Sequence, residues 1–287
     1  MKSTVLLEQL QKLEDAEFTG SLPRITSSNG NQYFAKIGVE SEEQYAGEAE
    51  SLKQIAIAAP GLAPRVLASG THGNQPYMIT EYKDLRPIND TAARRLGKRL
   101  ATELHQYKGL KGFGFEVPTY CGATRLENGW FDSWEACFSA LIGDLLSQLL
   151  KKGGFSSLCT KGEHVRKSLI PKLLGPLDIQ PVLLHGDLWS GNMGCDVSSG
   201  EPVIFDPASL FGHNEADLAI ARIFGGVPKS FFETYHERFP KTEPADQYGP
   251  RGDLYELFHY LNHTLLFGGH YSSSAERKMD ILLGAGL

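Results

Sequence analysis

Hydrophobic and polar positions follow a strand-like pattern in the first third of the chain and a helical pattern afterwards. Residues 22–27 and 32–37 are typical of two short strands, because Asn29-Gly30 between them best supplies the positive φ of a tight hairpin. Residues 65–68 and 77–82 predict a second pair of strands around a glycine-containing turn. We therefore expect the first third to be rich in strands.

A single helix interrupts these strands. Ser41 is followed by two glutamates and then by apolar residues at intervals of three and four, which predicts a capped amphipathic helix that carries Glu48. From Asp90 onward the apolar residues again recur at helical spacing, and further helices are predicted near 131–150 and 161–174.

The change of pattern predicts two lobes. Residues 1–86 would form a small antiparallel sheet with one helix, and residues 87–287 would form a larger, mainly helical lobe. This organisation is an α+β fold.

Composition and charge narrow the class of protein. The chain has 287 residues and a net charge of −6, so it lacks the basic character that nucleic-acid binding requires. Its apolar stretches are far shorter than the ~20 residues that cross a bilayer. The four cysteines fit neither a zinc pattern nor a dense disulfide framework, which indicates a reducing compartment. We expect a cytoplasmic protein with no nucleic-acid or membrane partner.

The most informative segment lies between two short β-like runs, 182–184 and 203–205. It contains His185-Gly186-Asp187 and Asn192, and the second run ends at Asp206. Phosphoryl transfer from a nucleotide needs a carboxylate that orients the attacking hydroxyl and oxygen ligands that hold Mg²⁺. Asp187 would be the base, and Asn192 and Asp206 would meet at the metal. For a lone Asp after a strand, the alternative is a turn residue that caps backbone donors.

His185 and Lys36 are further candidates. His185 lies two residues before the expected base and is predicted to orient it rather than to react. Lys36 on a strand and Glu48 on the next helix match the kinase pattern of a phosphate-contacting lysine and its helix carboxylate. The alternatives are a solvated edge lysine, or a pairing with Glu43 or Glu50.

The end of the first lobe is the expected place for a nucleotide hinge. An apolar strand runs into the polar segment formed by Glu81, Tyr82 and Lys83, where a kinase would offer backbone groups to adenine. Backbone groups can bind adenine whatever the side chains are, so the sequence predicts only where the hinge lies and not which side chains it contains.

The segment from His185 to Asn192, His-Gly-Asp-Leu-Trp-Ser-Gly-Asn, resembles the fructosamine-3-kinase (ketosamine-3-kinase) family, relatives of aminoglycoside phosphotransferases and choline kinases. The likeness covers nearly the whole chain and includes Phe34-Ala35-Lys36, Gly47-Glu48, Phe205-Asp206-Pro207, Glu215 to Ala219 and Phe224-Gly225-Gly226. It implies a protein-kinase-like fold and phosphorylation of the 3-hydroxyl of ketosamines, with ATP and Mg²⁺. Ketosamines are fructosamine or ribulosamine adducts on small amines or on lysines of glycated proteins. Phosphorylation destabilises the adduct, so the implied outcome is deglycation.

The family pattern also implies roles for individual residues. Trp189 is expected to face the apolar surface of the sugar, and the alternative is a tryptophan packed between the lobes. Asp217 is expected to brace the catalytic segment, and the alternative is a surface charge on a helix. One departure is the stretch 18–23, where Gly20 alone stands in place of two or three consecutive glycines. The remaining implied roles are Asp187 as base, Asn192 and Asp206 on the metal, Lys36 with Glu48 on phosphates, and residues 81–83 as the hinge.

Two other functions are compatible with these motifs. Another small-molecule kinase of the same superfamily would act on an aminoglycoside, choline or a free sugar, and Trp189 together with Phe224-Gly225-Gly226 argues against it. A nucleotide-binding pseudokinase would keep the fold without transfer, and the complete set of kinase-type residues argues against it. Sugar length is read by the shape of the cleft, so fructosamines, ribulosamines and erythrulosamines are all open as substrates.

Overall fold

An antiparallel sheet forms most of the N-terminal part, as the strand-like runs predict. The computed structural model describes residues 4–286. The strands of this sheet are β1 (Phe18–Ser21), β2 (Arg24–Ser27), β3 (Gln32–Ile37), β4 (Val66–His72) and β5 (Gln75–Glu81). Their order is β1-β2-β3-β5-β4, so both predicted hairpins are confirmed.

The central strand β3 divides its side chains between two faces, because successive residues of a strand point to opposite sides. Tyr33 and Ala35 are buried against leucines of helix α1 (Thr4–Leu13) on the outer face. Lys36 points to the other face, where helix α2 (Glu42–Ala58) lies. The Ser41 hydroxyl accepts a hydrogen bond from a backbone amide of the first turn of α2 at 3.1 Å, which confirms the predicted capped helix.

The glycine-poor stretch at 18–23 is a tight hairpin. Strands β1 and β2 pair up to Ser21 and Arg24, so Leu22-Pro23 forms the turn. Gly20 lies within β1. The shortness of this turn agrees with the shortened stretch in the sequence.

Helices make up most of the C-terminal part. The predicted helix near 161–174 is two helices, because Pro171 in the first turn of the second one lacks the amide that would continue the first. The helices are α3 (Asp90–Thr102), α4 (Trp134–Lys152), α5 (Ser156–Ser168), α6 (Ile170–Leu174), α7 (Asn214–Ile223), α8 (Lys229–Arg238), α9 (Tyr248–Phe267) and α10 (His270–Gly284).

Short strands support the segment with the candidate residues. They are β6 (Leu85–Pro87), β7 (Tyr120–Cys121), β8 (Thr124–Arg125), β9 (Val182–Leu184), β10 (Met193–Asp196), β11 (Pro202–Ile204) and β12 (Leu210–Gly212). They pair as β11-β10-β6, β12-β9 and β7-β8. Strands β9 and β11 are predicted by the β-like runs, whereas β10 lies between these runs and is not predicted.

The division at residues 86 and 87 stays a prediction. Strand β6, on which it falls, pairs with β10, so this part of the chain belongs to a sheet with C-terminal strands. Leu183 and Ile204, in β9 and β11, are fully buried in the main hydrophobic core. Both strands therefore give the residues that follow them a rigid support. Within residues 4–286, no helix has the length and apolar character needed to span a bilayer.

Candidate active site

Lys36 joins two carboxylates from distant parts of the chain. Its Nζ lies 2.9 and 3.0 Å from the carboxylate oxygens of Glu48 and 2.9 Å from Oδ1 of Asp206. Burial lowers the pKa of Lys36, but the two carboxylates raise it more, so the net shift is upward and the side chain stays charged. The alternative partners Glu43 and Glu50 bond to other side chains.

A glycine allows the sharp turn that follows β9. Gly186 has a φ of +84°, and a Cβ atom placed on it would lie 2.0 Å from the carbonyl oxygen of Ala208. Any other residue would collide with the backbone there. This turn carries the chain from the buried strand to Asp187, which lines a cleft.

Asp217 on α7 braces this turn through its backbone. Its carboxylate accepts hydrogen bonds from the amides of His185 and Gly186, each at 2.7 Å. His105 Nε2 lies 3.2 Å from the same carboxylate. Burial raises the pKa of Asp217, but these bonds and the nearby histidines hold the pKa below its usual value. Asp217 is 2% exposed, so it is not a surface charge.

His185 links the expected base to the second strand end. The amide of Asp187 donates to Nδ1 of His185 at 3.2 Å, and Nε2 lies 3.0 Å from the carbonyl oxygen of Phe205. Because Nδ1 accepts, Nε2 carries the proton and donates to Phe205. Burial lowers the pKa of His185, which favours this neutral form.

Asp187, Asn192 and Asp206 come together at the ends of β9 and β11. The Nδ2 group of Asn192 donates to Oδ2 of Asp187 at 3.0 Å and to the Asp187 carbonyl oxygen at 2.9 Å. Burial raises the pKa of Asp187 to about 7, although the bond from Asn192 opposes this shift. Asp206 has a φ of +52°, an unfavourable backbone conformation of the kind that clusters at functional sites.

A cavity of about 450 Å³ lies beside the predicted hinge. The Glu81 carboxylate pairs with Arg65 at 3.0 Å and with Lys83 at 3.4 Å. The backbone amides of Glu81 and Tyr82 donate to the carbonyl oxygens of Arg65 at 3.0 Å and Gln32 at 3.3 Å, so only the remaining backbone groups of residues 82 and 83 are left to a ligand. The Tyr82 ring packs under the guanidinium of Arg24, 4.7 Å away. The cavity is lined by Phe34, Glu48, Leu52, Pro64, Met78, residues 80–85, Phe205 and Asp206.

A second cavity, of about 480 Å³, lies on the other side of the same carboxylates. Glu48 and Asp206 line both cavities, and Asp187 and Trp189 line only the second. The remaining lining residues of the second cavity are Lys36, Val39, Glu40, Gln44, Tyr120, Gly122, Ala123, Asn192 and Pro207. The two spaces therefore meet beside Lys36.

Trp189 is half-buried at the second cavity. Its ring lies against Gly191, where a Cβ atom would come within 2.2 Å of the indole. The ring of Phe224 meets it edge-on, with centroids 5.7 Å apart. Gly191 and Phe224 thus set the orientation of the ring.

Sequence reasoning missed three residues that lie beside Asp187 or beside Asp217, which braces the catalytic segment. His105 bonds to Asp217, and Cys121 and His259 lie beside Asp187. None of them belongs to a short motif with the residue that it contacts. The Asn262 side chain on α9 donates a hydrogen bond to the backbone carbonyl oxygen of Cys121.

Comparison with known proteins decides the family. The profile of the fructosamine kinase family matches residues 8–285. The chain belongs to the fructosamine kinase family. The predicted family and the predicted enzyme class, a kinase, are therefore confirmed.

Individual relatives agree with this assignment. The chain is 34% identical over 270 residues to ketosamine-3-kinase of Mus musculus, covering 84% of this chain and 85% of the relative. It is 41% identical over 206 residues to the chloroplastic protein-ribulosamine 3-kinase of Arabidopsis thaliana, covering 71% and 61%. A solved structure from Thermobifida fusca YX-ER1, provisionally described as a fructosamine-3-kinase, matches at a TM-score of 0.84 and 25% identity, covering 98% of this chain and 99% of its own. The protein-kinase-like α+β fold is confirmed.

Proposed function

We propose that this protein transfers the γ-phosphoryl group of ATP to the 3-hydroxyl of ketosamines and so initiates deglycation. The observation that carries the proposal is the meeting of two cavities at Glu48 and Asp206, with Lys36 between these carboxylates and Asp187 on one side only. A nucleotide in one cavity and an acceptor in the other would bring phosphate and hydroxyl together at this junction. Family membership and the names of the mouse and Arabidopsis relatives support the ketosamine class.

Asp187 is the proposed base. Its carboxylate lines the acceptor cavity and is held by the Asn192 amide, so it can accept the proton of a bound hydroxyl in a fixed geometry. Burial raises its pKa to about 7, which makes it a stronger base than an exposed aspartate while a useful fraction stays ionised at neutral pH. His185 and Asp217 orient it through hydrogen bonds with the backbone.

Asn192 and Asp206 fit a magnesium ion. Asn192 uses its Nδ2 group on Asp187, which leaves its amide oxygen for a cation, and the Asp206 side chain is 52% exposed. Amide and carboxylate oxygens are the donors that Mg²⁺ prefers. A bound Mg²⁺ would neutralise phosphate charge. Lys36, oriented by Glu48, adds a second positive charge at the same junction.

The cavity beside residues 81–83 is the proposed adenine pocket. Leu52, Met78 and Phe205 give it apolar walls suited to a flat ring, and the hinge backbone supplies polar groups. On the acceptor side, the Trp189 ring is proposed to cover the apolar face of the sugar.

The proposed acceptors are ketosamines on small amines and on glycated proteins. Arabidopsis protein-ribulosamine 3-kinase is named for a protein-bound adduct, which supports the inclusion of proteins. A cytoplasmic location belongs to the same proposal, and the four buried cysteines in free thiol form are consistent with it.

The deciding experiment is a kinase assay with the full chain, ATP, Mg²⁺ and lysine that carries either a ribulosamine or a fructosamine adduct. We expect a 3-phosphorylated product, identified by mass and phosphorus NMR, and a loss of at least about 10³-fold in kcat for Asp187→Asn. The exposed residue Asp246 provides the control variant Asp246→Asn, which keeps the wild-type rate. A kcat of Asp187→Asn close to that of the wild type would contradict the assignment of Asp187 as the base.

The same assay separates the rival functions. Preferred transfer to an aminoglycoside, choline or a free sugar would identify another small-molecule kinase. Magnesium-dependent ATP binding without transfer to any acceptor would identify a pseudokinase. Either result would overturn the proposed substrate class.

A further inference from the structure

Three side chains with metal-binding atoms converge beside the expected base. The sulfur of Cys121, a carboxylate oxygen of Asp187 and a ring nitrogen of His259 all lie within 4.8 Å of one another. Cys121 and His259 are buried, and Asp187 is half-buried, so this is not a group of exposed acids. The spacing of the four cysteines does not indicate such a cluster.

His259 has an unused buried polar atom. Its Nδ1 is shielded from solvent and has no hydrogen-bond partner within the described residues. The whole residue is 4% exposed. Buried polar atoms in native proteins nearly always have partners, so an orphan atom points to a missing ligand or ion.

The fold holds Cys121 close to the helix that carries His259. Both His259 and Asn262 lie on α9, three residues apart and therefore on one face of the helix. The Asn262 Nδ2 group donates to the carbonyl oxygen of Cys121 at 3.1 Å. This bond joins the end of β7 to α9 close to His259, and so holds Cys121 near that histidine.

The chemistry of the three ligands selects zinc over magnesium. Zn²⁺ binds Cys sulfur, His nitrogen and carboxylate oxygen at about 2.0–2.3 Å in a tetrahedron, whereas Mg²⁺ prefers six oxygens. A thiolate and a carboxylate would balance the charge of Zn²⁺ in this buried place. Bonds of about 2.0–2.3 Å in a tetrahedron place the ligand atoms about 3.3–3.8 Å apart, which is shorter than the 4.8 Å limit within which the three atoms lie. Tyr120 and Gly122, which flank Cys121, line the acceptor cavity and provide the route of entry.

We propose that Cys121, Asp187 and His259 form a Zn²⁺ site whose occupation blocks the kinase reaction. When Zn²⁺ enters, the Cys121 thiol releases its proton to solvent and a Zn–S bond forms, while Asp187 turns its carboxylate to the metal and can no longer accept a proton from a hydroxyl. Zinc binding itself does not depend on the reaction, whereas the inhibitory effect rests on the proposed function of Asp187.

The binding test uses the full chain in excess Mg²⁺ without nucleotide. We expect calorimetry to detect one equivalent of Zn²⁺, and Co²⁺ in its place to give a thiolate-to-cobalt charge-transfer band in the near ultraviolet. Cys121→Ser should remove the band, and both Cys121→Ser and His259→Gln should weaken zinc binding at least tenfold. Cys159→Ser is the matched control, because Cys159 is also buried but bonds to the Leu146 carbonyl oxygen instead.

Two results would overturn the site: no charge-transfer band in the wild-type chain, or equal zinc affinity in the wild type and the folded His259→Gln variant. Circular dichroism establishes folding, and His259→Gln is the decisive variant if Cys121→Ser does not fold.

The kinase assay tests the inhibitory effect, with the activity of each protein measured relative to its own rate without zinc. The zinc concentration for half-inhibition should be at least tenfold higher for His259→Gln than for the wild type. Equal inhibition of both proteins would refute the inhibitory role. A chain that binds zinc at these residues but phosphorylates no ketosamine would instead contradict the proposed function and leave the zinc site supported.

Discussion

The side-chain amide of Asn192 holds Asp187 at two points, the carboxylate oxygen Oδ2 at 3.0 Å and the carbonyl oxygen at 2.9 Å. One amide thus fixes both the backbone and the side chain of the expected base. Its own oxygen stays available to a cation, so a single residue couples the position of the base to that of the metal. This double use explains why the chemistry needs Asn rather than a second carboxylate at this place.

Replacement of Asn192 by Ala is predicted to lower kcat by about 10²-fold or more, because small displacements of reacting groups cost rates of this order. The affinity for ATP without Mg²⁺ should change little. Steady-state kinetics and nucleotide titration measure the two quantities. Asn192→Asp keeps an oxygen ligand but loses the donor to Asp187, so it should also lose kcat. A wild-type kcat in Asn192→Ala would contradict the double role.

Asp217→Asn is predicted to destabilise the fold by about 3 kcal/mol. The two carboxylate oxygens of Asp217 each accept a hydrogen bond from a backbone amide, that of His185 or that of Gly186. Asn has only one acceptor oxygen and no charge, so one buried backbone amide would lose its partner. The free energy of unfolding in urea measures the loss. Asp246→Asn, an exposed acid changed in the same way, should stay within about 0.5 kcal/mol of the wild type. An equal, small effect of both substitutions would refute the bracing role of Asp217.

Several of the residues that the sequence predicts lie in local patterns. Lys36 is predicted by a strand that is followed by a capped helix, and Asp187 and Asn192 are predicted by one short motif. Asp217, whose contacts with His185 and Gly186 are distant in sequence, is implied only by the family resemblance. The contact between His105 and Asp217 joins residues far apart in sequence, so no periodicity could indicate it. Strand β10 escaped prediction because its four residues, Met-Gly-Cys-Asp, are all buried and show no alternation of apolar and polar positions.

The site also depends on backbone conformations that a sequence pattern does not display. The His-Gly-Asp motif predicts a turn, but the collision of a Cβ atom at Gly186 with Ala208 explains why it must be glycine. The positive φ of Asp206, whose side chain pairs with Lys36, is likewise a property of the folded chain that no sequence pattern indicates. Such features arise from packing between segments that lie far apart.

Gly191→Ala and Trp189→Ala are predicted to have similar effects. A Cβ atom at Gly191 would lie 2.2 Å from the Trp189 indole and would push the ring out of its place. Both variants should raise the KM for a ketosamine by about tenfold, the equivalent of 1.4 kcal/mol, and leave the KM for ATP unchanged. Gly249→Ala is the control, because a Cβ atom there meets no atom within 4 Å. An unchanged ketosamine KM and kcat in Trp189→Ala would end the idea of a sugar contact.

Acid should destabilise the fold through His213, which is buried between the Tyr255 and Thr242 hydroxyls. Burial is the main cause that lowers the pKa of His213 to about 4. The negative charge of Glu215 raises this pKa, and the positive charge of Arg251 lowers it. Between pH 6.5 and pH 4 the unfolded chain therefore binds a proton at this residue that the folded chain does not, and stability falls as the pH falls. The loss is about 3 kcal/mol over this window, since each pH unit contributes roughly 1.4 kcal/mol.

Urea unfolding at several pH values measures this effect. His213→Gln cannot take up the proton, so its free energy of unfolding should depend less steeply on pH between 6.5 and 4 than that of the wild type, even where its stability at neutral pH is lower. His270 is exposed, and His270→Gln should keep the wild-type slope. If His213→Gln and the wild type lost stability in parallel over this range, the protonation of His213 would not be the cause of the acid sensitivity.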